Sequence, residues 1–319
     1  MRTMIKDYGP VNDRSPHLIA DLLVIRCFFE RSPMARGDVE SIVERDGGAG
    51  LKAELKIEEG DDTDSSAEKN DRVQQLSEDV FANLMYRAEA FDDWYPFTVK
   101  QDVLELASFT NRRRVYLLLL VCSRLKMFPK AVRGVFAADF ELLSVEALKG
   151  LYPGWDVIHF GKGGKDRPRF GNKFKVAIAK LAKLLKDPPI QDRIDAISNQ
   201  NVGDGGIDIV ALNTFGDAAP GCTVFFAQCA AQQTGWPEKK FEAHPVEQSK
   251  HISFFHNPGN LLTIPLCYRG PDGKWVSDEA YGAILLDRLR LVKLIEGRRA
   301  SGIADAVATI PPELMEQMT

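Results

Sequence analysis

Two polar residues stand inside apolar runs in the second half of the chain. "GDGGIDIVAL" carries Asp208 between two isoleucines, and "TVFFAQCAA" carries Gln228 between alanine and cysteine. Both runs read as strands, and the "NTFGDAAPG" between them reads as a turn. A charge on a buried strand is costly unless it is paired, hydrogen-bonded or bound to metal. Something close to Asp208 must therefore need it, and its place in a β-branched run makes a metal a better reading than a turn cap. Strand side chains alternate, so Asp208 shares a face with Gly206 and Val210, and Gln228 with Phe226 and Ala230. Pairing the two strands brings Asp208 beside Gln228. Asp204, in the glycine turn, reads as structural, since aspartate favours turns.

Other chemistries find less support. The five cysteines lie far apart and form no CxxC pair, so neither a disulfide framework nor a zinc knuckle is indicated. Cys229, flanked by alanine, reads as a small buried filler. His244, His251 and His256 cluster, but not at HExxH spacing. "GKGGKD" at Gly161 lacks the Gly-Lys-Ser/Thr ending of a phosphate loop, and "GDGGID" lacks GxGxxG spacing.

The elements that must position these residues fall into two unlike halves. From about Ser15 to Leu125 the apolar residues recur at helical spacing, beginning with the Ser-Pro start of "SPHLIADLLVIRCFFERS". "GDVESIVERDG" reads as a short second helix, and "DDWYPFTVKQDVLEL" as an extended insertion. The acidic stretch Glu58 to Asp71 suits a solvated or disordered loop. "VYLLLLVC" is too short to span a bilayer and reads as the middle of a buried helix. In the second half, Phe140, Leu143, Ala147, Leu148 and Leu151 mark one helical face, and Pro153-Gly154 ends that helix. "WDVIHFG" alternates as a strand. Residues 162–186 then carry nine lysines and arginines against one acid. Their bland reading is the wet face of an amphipathic helix, and their sharper one is a grip on nucleic-acid backbone. The last segment reads as a strand, a Gly-Pro-Asp-Gly turn and a long amphipathic helix.

With 319 residues, 45% hydrophobic and 27% charged, the chain reads as an ordinary globular protein of two domains or one elaborated one. A net charge of -4 gives no global attraction to nucleic acid, so any basic surface must be local. The opening residues lack an apolar leader core, and a reducing cytoplasm fits the scattered cysteines.

The order of glutamate-bearing helix, strand, basic helix, "GDGGID" strand, hairpin and glutamine strand resembles the PD-(D/E)xK nuclease superfamily. The likeness is to restriction-endonuclease-like members with a GxD…QxK signature, and it covers Asp139 to Phe241, about a third of the chain. It implies an α/β protein: a helical N-terminal domain over 1–132, then a restriction-endonuclease-like core over 133–319, a central mixed sheet flanked by helices. It implies that Asp208 and Gln228 hold Mg²⁺, or Mn²⁺ in its stead. The Cys229 backbone carbonyl would complete the set, and Glu141 would assist from the preceding helix with Glu146 as fallback. A hard cation wants such oxygens.

The family's lysine belongs two residues after Gln228, where this chain has Ala230. Lys239 or Lys240, just beyond, are the expected replacements, Lys239 preferred. Lys162, Lys165, Arg167, Arg169, Lys173 and Lys175 are expected on the backbone of DNA, with RNA the lesser expectation. The implied activity is metal-dependent phosphodiester hydrolysis in bacterial defence against phage or foreign DNA. The alternative is a catalytically inactive DNA-binding or scaffolding subunit. The N-terminal half would sense, dock to a protein partner or restrain the nuclease, and a homodimer would suit double-strand cutting.

Overall fold

The computed structural model describes residues 15–46 and 64–318, which divide into two compact units. The first comprises Met1–Phe136 with two later segments, Leu266–Ser277 and Ile310–Thr319. The second comprises Ala137–Pro265 and Asp278–Thr309. The first unit thus draws on the C-terminal part of the chain as well as on the N-terminal half.

The first unit is built on helices α1 (Pro16–Glu30), α2 (Arg36–Asp46), α3 (Asp64–Phe91) and α4 (Asn111–Cys122). Pro16 opens α1, where its missing N–H costs nothing. The whole of Val115–Cys122 is buried in α4, and the Thr110 side chain caps that helix by accepting from Arg113 N at 3.3 Å. The expected acidic loop differs: 58–63 lie outside the described residues, and from Asp64 onward the stretch is the first turns of α3. The extended insertion forms a hairpin, β2 (Phe97–Lys100) and β3 (Val103–Leu106). Its two-residue turn, Gln101-Asp102, has positive φ at both positions, which matches the strands' right-handed twist. With β1 (Met34–Ala35) it makes a small antiparallel sheet of order β1-β3-β2, so this unit is not purely helical.

The second unit is a five-stranded mixed sheet flanked by helices. Its order is β4 (Asp156–His159), β5 (Ile209–Asn213), β6 (Thr223–Cys229), β7 (Gly259–Thr263) and β8 (Ile284–Leu286). The first three strands are antiparallel, and β7 and β8 join parallel. Helix α5 (Lys130–Leu151) precedes β4, and the basic helix α6 (Phe174–Leu185) follows it. The apolar stripe of α6, Phe174, Ala177, Ile178, Leu181 and Leu185, packs in one core with Ile158, Val210, Leu212, Val224 and Phe226 from the sheet. Its lysines fall on the other side, as helical periodicity requires. The expected long C-terminal helix is two, α7 (Arg288–Gly297) and α8 (Arg299–Val307), with Asp287 capping the first by accepting from Arg290 N. Among the described residues, no helix is long and apolar enough to cross a membrane.

Candidate active site

The β5–β6 register pairs Ile209 with Ala227; Asp208 lies just before β5 rather than inside the strand, and Gln228 follows Ala227 in β6. Asp208 is held at three backbone points. Its N–H donates to the Ala227 carbonyl at 3.0 Å, and its own carbonyl accepts from the Phe160 and Gly161 N–H groups, both at 2.8 Å. Its carboxylate Oδ2 accepts from the Cys229 N–H at 2.7 Å. Only 7% of the residue is exposed.

Glu141, on α5, reaches the same place. A Cβ built at Gly161 would lie 3.2 Å from Asp208 Oδ1 and 3.5 Å from Glu141 Oε2, so two carboxylate oxygens converge on a space that only glycine leaves open. Burial holds the Asp208 carboxyl well above the usual carboxylate range, and the negative charge of Glu141 pushes the same way. The Cys229 N–H pulls against them, while Asp204 and Glu242 add further upward push. Every side chain named among those influences is acidic. A buried acid with acid neighbours is the arrangement that a cation would relieve.

Gln228 adds an oxygen. It is buried, and its Oε1 has no hydrogen-bond partner within the protein. A buried carbonyl oxygen left so is expensive unless something outside the chain meets it. The Cys229 thiol is pushed far up by burial and by Asp208 and Glu141, with Thr263 and Ser144 pulling it down, so it stays protonated and is no nucleophile. Among the described residues, no three histidine, cysteine, aspartate or glutamate side chains converge as a metal cluster. What converges here is two carboxylates, Asp208 and Glu141, with the Cys229 N–H bonded to the first. The cradle at Gly161 and the orphaned Gln228 oxygen fit a hard divalent ion.

His159 is the residue that sequence reasoning passed over. It ends β4, is buried, and places Nε2 at 2.9 Å from Glu141 Oε2. Its Nδ1 accepts from the Lys165 N–H at 3.3 Å, which puts the ring proton on Nε2 and aims it at Glu141. Alternation in "WDVIHFG" placed a histidine at the strand end nearest the glycine loop, and that was the available signal. Asp204 proves structural as well as close: Oδ1 accepts from Gly206 N and Oδ2 from Lys162 N. Glu146, the fallback ligand, is committed to Lys149 and Arg298.

The cations expected near Gln228 are occupied elsewhere. Lys239 Nζ pairs with Glu242 at 2.6 Å, and Lys240 Nζ donates to the Glu279 carbonyl at 2.6 Å. Among the residues expected on nucleic acid, Lys162, Lys165 and Lys173 are exposed. Lys175 pairs with Asp195, and Arg169 with Asp166. Arg167 must be corrected. It is buried, stacks its guanidinium on Phe160, and donates to the carbonyls of Phe160, Gly171, Asn172 and Gly203. It braces the loop from within and presents no charge to a ligand. No protein-family model, curated protein or solved structure matches this chain.

Proposed function

We propose that the second unit is a metal-dependent nuclease of the PD-(D/E)xK kind, acting on DNA. The observation that carries this reading is the pair of carboxylates that converge at Gly161, buried Asp208 among acidic neighbours and half-buried Glu141 beside His159, with the unpartnered amide oxygen of Gln228 on the neighbouring strand β6. Asp208, Glu141, Gln228 Oε1 and the Cys229 carbonyl would hold the ion. Bound Mg²⁺ or Mn²⁺ supplies a water of lowered pKa and polarises the scissile phosphate. The chain's own residues do the rest. His159 fixes the Glu141 carboxylate, the Cys229 N–H fixes that of Asp208, and exposed Lys162, Lys165 and Lys173 meet phosphates along the backbone. The mixed sheet, with its helix-strand-helix-hairpin order, supports a restriction-endonuclease-like core.

The test is cleavage of supercoiled plasmid and linear duplex with Mg²⁺ or Mn²⁺ against EDTA, for the native chain and Asp208→Ala. Metal-dependent nicking lost in the variant is the expected result. The specific observation behind the second reading, an inactive DNA-binding or scaffolding subunit, is that Ala230 is buried where the family has its lysine. Duplex binding without cutting under every metal condition would establish that reading instead. A run on single-stranded RNA beside the DNA substrates decides the polymer, and light scattering at working concentration decides the dimer. A role in bacterial defence is part of this proposal through the resemblance.

A further inference from the structure

We propose that Lys162 supplies the cation that phosphodiester hydrolysis needs at this site, in place of a lysine at position 230. The inference rests on the nuclease reading of the same site. Hydrolysis of a phosphodiester forms one P–O bond from water and breaks another. The attacking water gives up one proton to solvent, the departing alkoxide takes one up, and the reacting phosphate carries added negative charge between the two events. The side chains named as acting on Asp208 are all acidic: Glu141, Asp204 and Glu242. A divalent ion offsets part of that negative charge, and a positioned ammonium offsets more where charge develops.

Position 230 cannot provide it. Ala230 is 2% exposed and its N–H is spent on the Thr263 carbonyl. Lys239 and Lys240 are held by Glu242 and by the Glu279 carbonyl.

The loop after β4 is fastened to the site itself. Gly161 N donates to the Asp208 carbonyl, Lys162 N to Asp204 Oδ2 at 2.9 Å, and Lys165 N to His159 Nδ1. Gly164 closes the loop back on Gly161, and a Cβ there would lie 2.1 Å from the His159 carbonyl, so the path admits no side chain at that point. Lys162 is therefore one residue, or about 3.8 Å of Cα spacing, from the glycine on which the two carboxylate oxygens converge. Its side chain is exposed, and among the described residues its ammonium has no ion pair or hydrogen bond. A four-carbon stem on an anchored backbone lets that ammonium swing from water onto a phosphate bound at the carboxylates. Lys165 is set farther off, with the His159 ring between its backbone and Glu141.

Single-turnover cleavage of plasmid in Mg²⁺ would be measured for the native chain, Lys162→Ala, Lys162→Arg, Lys165→Ala and Lys239→Ala, with duplex affinity measured separately in EDTA. We expect Lys162→Ala to slow cleavage by about 100-fold or more, the size of a lost transition-state donor. Its affinity should change by no more than roughly threefold, as for one phosphate contact among several. Lys162→Arg should recover at least about a tenth of the native rate, since the charge is kept. A native rate in Lys162→Ala, a rate loss matched by the loss of affinity, or a larger loss in Lys165→Ala or Lys239→Ala would each overturn the assignment while leaving the nuclease reading intact. A native chain that cuts nothing with any metal overturns both.

Discussion

Among the buried aspartates, Asp21 in the first unit and Asp208 in the second are treated in opposite ways. In the first unit Asp21, on α1, meets Arg87, on α3, at 2.7 Å, with both side chains at most 1% exposed. The same guanidinium donates to the His17 carbonyl, and Ser123 Oγ donates to the other oxygen of Asp21. Burial works against the arginine's charge, and Asp21 together with Cys267, Tyr116 and Tyr95 more than offsets it, so its pKa is held above the free value. In the second unit Asp208 receives one backbone N–H and is otherwise surrounded by acids. A buried acid with a built-in cation holds a fold together. One whose side-chain neighbours are acids is, on the proposed reading, held ready for a cation from outside.

The comparison can be broken most forcefully at the ion pair. Arg87→Met leaves Asp21 buried and uncompensated, and should cost about 3–5 kcal/mol of stability. Asp208→Asn should instead leave the fold intact or strengthen it. Chemical denaturation of the two variants reads this directly, and equal losses would mean that Asp208 is as structural as Asp21.

How much of this contrast the sequence discloses depends on the distance over which each part is assembled. Asp208 and Gln228 are legible because alternation and a short hairpin bring the start of β5 beside the end of β6, both local properties. Glu141 is legible only through the resemblance, since on its own it looks like any exposed helix residue. His159 is hard to read because a lone histidine on a half-apolar strand has the appearance of a core residue. The Asp21–Arg87 pair, 66 residues apart, has no local signature at all. Arg167 looks like its basic neighbours, and only the turn that follows makes it a brace. The return of 266–277 and 310–319 to the first unit is likewise a long-range outcome that periodicity does not carry.

Next in size is the response to metal. If the carboxylates at Gly161 bind a divalent ion, saturating Mg²⁺ or Mn²⁺ should stabilise the native chain by roughly 2.7 kcal/mol at a hundred times Kd. Thermal melts of Asp208→Asn should show no such gain, and those of Arg87→Lys should keep it. A shift of equal size in Asp208→Asn would place the ion elsewhere. Smaller again is Gly161→Ala. Position 161 is not left-handed, so backbone strain is absent, and the new methyl meets the two carboxylate oxygens and, at 3.3 Å, the Asp208 Cα. It should weaken metal binding by about tenfold, close to 1.4 kcal/mol, with little change in the metal-free melt. Calorimetric titration with Mn²⁺ would reveal it, and unchanged affinity would mean that the ion does not occupy that cradle.

The smallest effect is the most specific to the contrast. The Asp208 carboxyl is raised above its ordinary 3.8 by burial first and by Glu141 next. A group whose pKa rises on folding is proton-hungry in the folded state. Its protonated form favours folding fully below the ordinary value, and that advantage is lost as pH climbs through the raised one. Asp208→Asn is spared this loss, because an amide does not ionise. In metal-free buffer the variant should therefore gain on the native chain as pH rises from about 4 toward neutral, read as a widening difference in Tm. The sign is the useful part. Asp21→Asn, which removes an ion pair, should lose stability at neutral pH under the same conditions. A pH-independent gap for Asp208→Asn would mean that its carboxylate is ionised without penalty in the folded protein, and that the site does not depend on an outside cation for its charge balance.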